Sequence, residues 1–217
     1  MTNDLFDDAP QSEAAHEAIA PGAVLLHGFA AGRSSLLLTA FNEITRLAPL
    51  RQMVTPGGHT MSVTISNCGS LGWVSDVHGY RYLPRDPTTG KPWASMPDGW
   101  RSLAAQAAAE AGYADFRPNT CLINTYAPNA KMGLHRDRDE HDFSQPIVSV
   151  SLGLPAVFLF GGLRRTDKPQ RLRHIDGDVV VWGGPARLAF HGVAPLADGL
   201  HCVWGQRRVN LTFRCAA

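Results

Sequence analysis

Polar and apolar positions alternate most clearly in the second half of the chain. Ser149 and Ser151 interleave with Val148, Val150 and Leu152, and Arg208, Asn210, Thr212 and Arg214 interleave with Val209, Leu211 and Phe213. A period of two places alternate side chains on opposite faces of a strand. Strands are predicted over residues 120–126, 147–152, 156–160, 178–182, 188–191 and 208–213. Short strands separated by Gly/Pro turns point to an antiparallel sandwich or barrel. The first half has a different period. Ser34 reads as the cap of a helix whose Leu37, Leu38, Phe41, Ile44 and Leu47 share one stripe. A second helix is expected over 97–111, with Pro97 in its first turn and Gly112 at its stop. Residues 23–29 read as a short strand. Residues 1–20 are acidic, Ala-rich and without periodicity, so they read as a mobile tail.

Between 53 and 97 the chain is punctuated by glycine and proline and carries Trp73, Tyr80, Tyr82 and Trp93. Such rings either seal a loop onto the core or carry recognition. There are no internal repeats. The pattern as a whole predicts one α+β domain over 21–217, with a jelly-roll-like core over about 120–217 and helices bracing it.

Composition narrows the class. The 217 residues suffice for one domain with a substantial core, and the 44% apolar and 18% charged fractions are those of an ordinary globular chain. A formal net charge of +1 excludes polyanion binding by bulk charge and leaves room for a local basic patch. Arg164, Arg165, Lys168, Arg171 and Arg173 form such a cluster; alone, it reads first as a solvated loop. Cys68, Cys121, Cys202 and Cys215 form no C-x-x-C pair of the kind that holds zinc. The N-terminus lacks the pattern of a secretory signal, and no apolar run approaches a membrane span. A reducing cytoplasm and no membrane partner are expected.

Two imidazoles and one carboxylate on one face of iron leave positions open for oxygen chemistry. His-x-Asp supplies two such ligands from one extended segment, because residues i and i+2 point the same way. The pair is close to chance in a chain with nine histidines, and it occurs twice. His174-Ile175-Asp176 runs through Gly177 into an apolar strand, so it reads as a turn and a structural element. His135-Arg136-Asp137 follows a predicted strand past a polar turn. His191 lies far enough downstream for several strands to intervene, and it is expected to supply the third ligand from a facing strand. Arg208 and Arg214 share one strand face, and two buried guanidinium groups are costly unless anions meet them. A dicarboxylate would meet that need through paired hydrogen bonds; the protein's own Asp and Glu are the alternative. Asn124 and Tyr126 alternate in the same way on an earlier strand.

Together Asn124-x-Tyr126, His135-x-Asp137-x-Asp139, His191 and Arg208-x-Asn210-x-x-x-Arg214 resemble the AlkB family of nucleic-acid dealkylating dioxygenases. The resemblance extends through 51–58, 61–63, 67–69, 71–73, 147–155, 177–184 and 210–214, most of the chain from about Gly22 onward. It implies a double-stranded β-helix core with a nucleotide-recognition lid over about 50–97. It implies Fe(II) on His135, Asp137 and His191, with 2-oxoglutarate and O2 as cosubstrates. Arg208, Tyr126 and Asn210 would hold the distal carboxylate of 2-oxoglutarate, and Arg214 and Asn124 its C1 end. 2-Oxoglutarate would be decarboxylated to succinate while an N-alkyl group such as that of 1-methyladenine or 3-methylcytosine is hydroxylated and lost as an aldehyde. Trp73 and the His135 ring would flank a flipped-out base. Tyr80 and Tyr82 would contact phosphate and sugar, Asp139 would face a cationic base, and Arg165 would contact substrate. The implied partner is alkylated DNA, single- or double-stranded, with RNA open, and the enzyme would act as a monomer. Two other readings stand beside this one: an oxygenase with the same triad acting on a protein or small molecule, and a jelly roll that binds metal without catalysis.

Overall fold

The computed structural model describes residues 16–217. The chain runs through β1 (His16–Ala20), β2 (Ala23–Leu26), α1 (Ser34–Leu47), β3 (Thr64–Gly69), β4 (Gly72–Asp76), β5 (Gly79–Leu83) and α2 (Asp98–Glu110). It continues through β6 (Thr120–Tyr126), β7 (Met132–His135), β8 (Ile147–Gly153), β9 (Ala156–Phe160), β10 (Gln170–His174), β11 (Val179–Trp182), β12 (His191–Val193) and β13 (Arg208–Arg214). Seven strands form a larger sheet in the order β1-β2-β11-β8-β13-β6-β3, four form a smaller sheet in the order β10-β9-β12-β7, and β4-β5 is a separate hairpin. Every pairing between these strands is antiparallel.

Alternation sorts the larger sheet into two faces. Val148, Val150, Leu152, Val209, Leu211, Phe213, Cys121 and Ile123 pack with Phe41 and Ile44 of α1 and Trp100, Leu103 and Ala107 of α2. The opposite face turns toward the smaller sheet and joins Leu122, Tyr126, Ile147, Phe158, Phe160, Val180 and Trp182 in a second cluster. Ser149, Ser151, Asn124, Arg208, Asn210, Thr212 and Arg214 lie on that second face, buried although polar. The fold therefore places its polar strand positions between two sheets, where a ligand can meet them. Gly153 makes the turn from β8 to β9 possible: its φ is +84°, and a Cβ there would sit 2.4 Å from the Arg207 carbonyl oxygen.

Several local expectations change. Within the segment read as a tail, His16–Ala20 is a strand on the edge of the larger sheet. Only Ile19 of it is buried among the apolar core, so it left no periodic signal; residues 1–15 lie outside the described residues. The strand expected over 23–29 stops at Leu26. Ser34 does not cap α1 but is its first residue, preceded by Arg33, and its hydroxyl donates to Asp176 Oδ2 at 2.5 Å. Leu47 leaves the buried stripe and is 60% exposed. The region 50–97 does not stand wholly apart from the core, because β3 is an edge strand of the larger sheet. The basic stretch is not all loop: Gln170–His174 pairs with β9. β7 occupies the segment read as a polar turn, and the strand expected over 188–191 begins only at His191.

The second His-x-Asp has the structural role its context suggested. Asp176 accepts hydrogen bonds from the Gly153 amide at 2.7 Å and from Ser34, and Gly177 turns with φ +91°. His174 is buried, and burial holds it down to about 3, neutral at pH 7. We expect Asp176→Ala to leave Fe(II) binding unchanged and to lower stability by about 1–3 kcal/mol, since a buried amide and a hydroxyl lose their acceptor. Iron titration and denaturant unfolding of the variant check both halves; loss of iron binding by the folded variant would reverse the choice between the two pairs.

Candidate metal and dicarboxylate site

His135 and His191 are direct partners in the β7–β12 ladder. The third candidate ligand thus comes from the neighbouring strand of the same four-stranded sheet. Ladder neighbours place their side chains side by side, and the two imidazole centroids are 4.5 Å apart. Asp137 follows β7 and brings its carboxylate between them, with Oδ1 3.7 Å from His135 Nε2 and Oδ2 3.7 Å from His191 Nε2. One atom from each of the three lies within 4.8 Å of the others, the only such His/Cys/Asp/Glu group among the described residues.

The outer ring nitrogens explain the orientation. His135 Nδ1 lies 2.9 Å from the Gly133 carbonyl oxygen, and His191 Nδ1 lies 3.0 Å from that of Ala189. A carbonyl only accepts, so both Nδ1 atoms carry the proton and both Nε2 lone pairs face Asp137. Burial, helped by the neighbouring His135, lowers His191 to about 4, which keeps it neutral and able to bind a metal. Burial works against the Asp137 charge, but Arg214 and then the two histidines outweigh it and hold the carboxyl well below the usual range. Two neutral imidazoles and an anion of this kind suit a divalent first-row metal such as Fe(II).

A cavity of about 630 Å³ opens over the triad, well within the range of small-ligand sites. Asn124, Tyr126, Arg208, Asn210, Thr212 and Arg214 form its inner wall, and Trp73, Tyr80, Asp139 and Arg165 stand toward the mouth. Arg208 is 1% exposed, donates through Nε and Nη2 to Ser151 Oγ at 3.2 and 2.9 Å, and lies with Cζ 5.0 Å from the Tyr126 ring centroid. Its Nη1 is buried without a partner, as is Asn124 Oδ1. A buried guanidinium with an unused donor and no carboxylate of the described residues beside it fits the distal carboxylate of 2-oxoglutarate.

The other arginine behaves differently. Arg214 Nη2 meets Asp137 Oδ2 at 2.5 Å, its Nε lies 3.4 Å from Glu140 Oε1, and its Nη1 donates to the Tyr82 hydroxyl at 3.1 Å. Its charge is therefore met by the protein's own acids. Asn210 is also engaged, donating to Ser149 and to the Val150 carbonyl and accepting from Thr212. Tyr82 does not line the cavity with Tyr80. Its hydroxyl turns inward and donates to Glu140 at 2.7 Å, and burial raises its pKa far above the ordinary phenol value. Trp73 Nε1 donates to Asp139 at 2.8 Å, while the Tyr80 ring stacks on the indole at 5.5 Å and 13°.

Glu140 and Arg187 escape a reading of the sequence. Arg187 donates to Glu140, to the Asp137 carbonyl and to the Gln145 carbonyl, and both side chains are nearly inaccessible. The only local hint is a lone cation inside the run Gly183–Phe190. Their pairing spans 47 residues and has no periodic signature.

Comparison with known proteins gives the family. Residues 22–214 match the model of the 2OG-Fe(II) oxygenase superfamily. The chain is 55% identical to the alpha-ketoglutarate-dependent dioxygenase AlkB of Salmonella typhimurium, over 99% of this chain and 98% of that protein. It is 33% identical to the human nucleic acid dioxygenase ALKBH1 over 61% of this chain and 36% of that longer protein. The solved structure of OsALKBH1 superposes with a TM-score of 0.81 at 27% identity, covering 92% of this chain and 99% of that one. The chain belongs to the AlkB family of Fe(II)- and 2-oxoglutarate-dependent dioxygenases.

Proposed function

We propose that this dioxygenase removes alkyl groups from N-alkylated nucleobases such as 1-methyladenine and 3-methylcytosine. The supporting observation is the arrangement of Trp73, Tyr80 and Asp139 at the mouth of the iron cavity. A base is a flat ring, and a flat ring wants an aromatic face. Trp73 offers one, held from its edge by Asp139 and from behind by Tyr80, and the half-exposed His135 ring faces the same cavity. N1-methylated adenine and N3-methylated cytosine are cations, and the Asp139 carboxylate favours them over neutral bases. In a duplex the target base must leave the stack to reach the metal.

In this reading His135, Asp137 and His191 hold Fe(II), which supplies oxygen activation when bound with 2-oxoglutarate. Arg208, with Tyr126 beside it, anchors the distal carboxylate. Asn124 completes the inner wall, Asn210 fixes it through Ser149, and Arg214 locks the Asp137 carboxylate in its ligating orientation. Hydroxylation of the alkyl carbon gives a hemiaminal, which collapses to an aldehyde and the unmodified base. Trp73, Tyr80, Asp139 and Arg165 receive the nucleotide. Residues of 50–97 form the recognition region, chiefly through the β4–β5 hairpin. The chain acts as a monomer in the cytoplasm on DNA, with RNA accepted by the same pocket. No helix among the described residues is long and apolar enough to cross a membrane.

The test is aerobic incubation of the full chain with Fe(II), 2-oxoglutarate and oligonucleotides bearing 1-methyladenine or 3-methylcytosine. Loss of the methyl group with stoichiometric formaldehyde is the expected outcome. Steady succinate formation with untouched oligonucleotides would transfer the enzyme to a protein or small-molecule substrate. Asp139→Asn should lower kcat/KM for 1-methyladenine by about 10-fold, or roughly 1.4 kcal/mol of transition-state stabilisation. It should affect an uncharged alkylated base much less; an equal loss on both would show that Asp139 serves only to orient Trp73.

A further inference from the structure

The four-stranded sheet has a second face, turned away from the cavity. His191 and Phe160 point inward, so alternation sends their neighbours Gly192 and Leu159 outward, with Arg171 beside Leu159 and Arg173 beside Val157 in the ladder. Both helices pack on the larger sheet and leave this face uncovered by any helix among the described residues. Val157 and Leu159 are half-buried, Arg171 and Arg173 are exposed, and Gly192 leaves the middle of the face without a side chain.

Cations stand on both sides of this apolar strip. At the β10 edge are Arg171 and Arg173. At the cavity rim, Arg136 and Arg165 approach the same Phe190 ring, with Cζ 5.5 and 5.9 Å from its centroid. Two like charges sharing one ring repel each other, and an anion between them removes that penalty. None of these four arginines forms an ion pair with a carboxylate among the described residues. The whole chain carries a formal charge of only +1, so attraction for a polyanion has to come from a local group of cations such as this one.

We propose that this outer face, from Arg136 and Arg165 at the rim to Arg171 and Arg173 on β10, is a docking surface for the sugar-phosphate backbone flanking the base in the cavity. The proposal rests on the nucleic-acid reading above and adds a surface to it. Three strand spacings separate β7 from β10, about 14 Å, long enough for more than one phosphate of a strand to lie between the two groups of arginines. The side chains suit the occupant: guanidinium groups pair with phosphate oxygens, and half-buried Val157 and Leu159 accept the apolar face of sugars. Such contacts carry no sequence information, which suits an enzyme that must find lesions anywhere along a strand.

The experiment measures binding of a short single-stranded oligonucleotide carrying one 1-methyladenine by fluorescence anisotropy. Fe(II) and 2-oxoglutarate are present and oxygen is excluded, so no turnover occurs. Affinity is recorded between about 50 and 200 mM salt, where the slope of log K against log salt is about −0.7 per phosphate contact on single strands. Arg171→Gln with Arg173→Gln should make that slope shallower by about 1.4, and Arg136→Gln by about 0.7. Arg171→Lys with Arg173→Lys should retain it. Arg101→Gln on α2, an exposed cation lost elsewhere, should leave it unchanged. A wild-type slope in the Arg171/Arg173 glutamine variant, with its thermal midpoint intact, overturns the surface. So does an equal change in Arg101→Gln, which would mean that only overall charge matters. Failure of the dealkylation reading has a separate signature: the wild-type chain leaves the methyl group in place when oxygen is admitted.

Discussion

Asp137→Ala should reduce 2-oxoglutarate turnover to background, a loss of at least about 1000-fold or roughly 4 kcal/mol, and the folded variant should not retain Fe(II). Asp137 is the single anion among the three proposed ligands, set between two neutral imidazoles whose Nε2 atoms lie 3.7 Å from its oxygens. Without it, a dication would face His135 and His191 with no compensating charge and with Arg214 directly behind. The same change should destabilise the metal-free protein. Arg214 is 5% exposed and loses its 2.5 Å partner, and stranding a buried charge costs about 3–5 kcal/mol. Glu140, 3.4 Å away on the other side of the guanidinium, moves the expectation to the lower end. Asp137→Asn separates the two effects. It keeps the volume and an acceptor for Arg214 while removing the charge, so iron binding should fail with a smaller loss of stability. Iron retention after gel filtration, succinate formation and urea unfolding are the three readings. Turnover retained in Asp137→Ala would end the ligand assignment.

The triad could be proposed from sequence because oxygen chemistry restricts such ligands to few residue types, and the fold brings the three side chains together. Its geometry could not. His191 was expected from a facing strand, and it lies beside His135 in one ladder. That ladder was hidden because β7 is the four-residue segment Met-Gly-Leu-His, too short to show a period and interrupted by Gly133. Strands β6, β8 and β13 were legible for the opposite reason. Each runs for seven residues with one face packed against helices; β8 and β13 alternate apolar and polar positions along most of their length, whereas in β6 Leu122 and Thr125 interrupt the period and its β-rich composition carries the signal. β1 was invisible because an edge strand with one buried core residue carries almost no pattern. The arginines show the limit most sharply. Alternation said that Arg208 and Arg214 share a buried face, which they do. It could not say which anion each meets, because Glu140 and Asp137 reach Arg214 through a fold-level contact that leaves no local trace. Glu140 also joins Tyr82 of the β4–β5 hairpin to the ligand shell. A phenol that looks like a substrate contact in sequence is thereby drawn away from the cavity.

That difference between the arginines gives Arg208→Met its expected signature. The KM for 2-oxoglutarate should rise by about 100-fold or more, while kcat at saturation changes little. Removing one partner of a buried charge pair costs about 2–5 kcal/mol, and about 3 kcal/mol corresponds to somewhat over 100-fold at 1.4 kcal/mol per decade. The dicarboxylate's far end touches no reacting atom, so its loss weakens binding and leaves the metal face untouched. Stability should move the other way from Asp137→Ala. In the protein without 2-oxoglutarate, Arg208 is a buried cation whose polar neighbours are one serine hydroxyl and the Tyr126 ring, with Nη1 unpartnered. Burial lowers its pKa from the ordinary value, yet guanidinium remains protonated, so its desolvation is only partly offset, by Tyr126 and the Ser151 hydroxyl. Methionine fills similar volume without charge, and such replacements are neutral or stabilising. The unliganded variant should therefore melt at or above the wild-type temperature, and 2-oxoglutarate should no longer raise its melting point. A residue that merely held β13 in place would lower the melting point instead. The variant should also turn over a 2-oxo acid with an apolar tail better, relative to 2-oxoglutarate, than the wild type does. An unchanged KM for 2-oxoglutarate would show that the distal carboxylate is held elsewhere, with Arg214 the remaining cation on the same strand face to test.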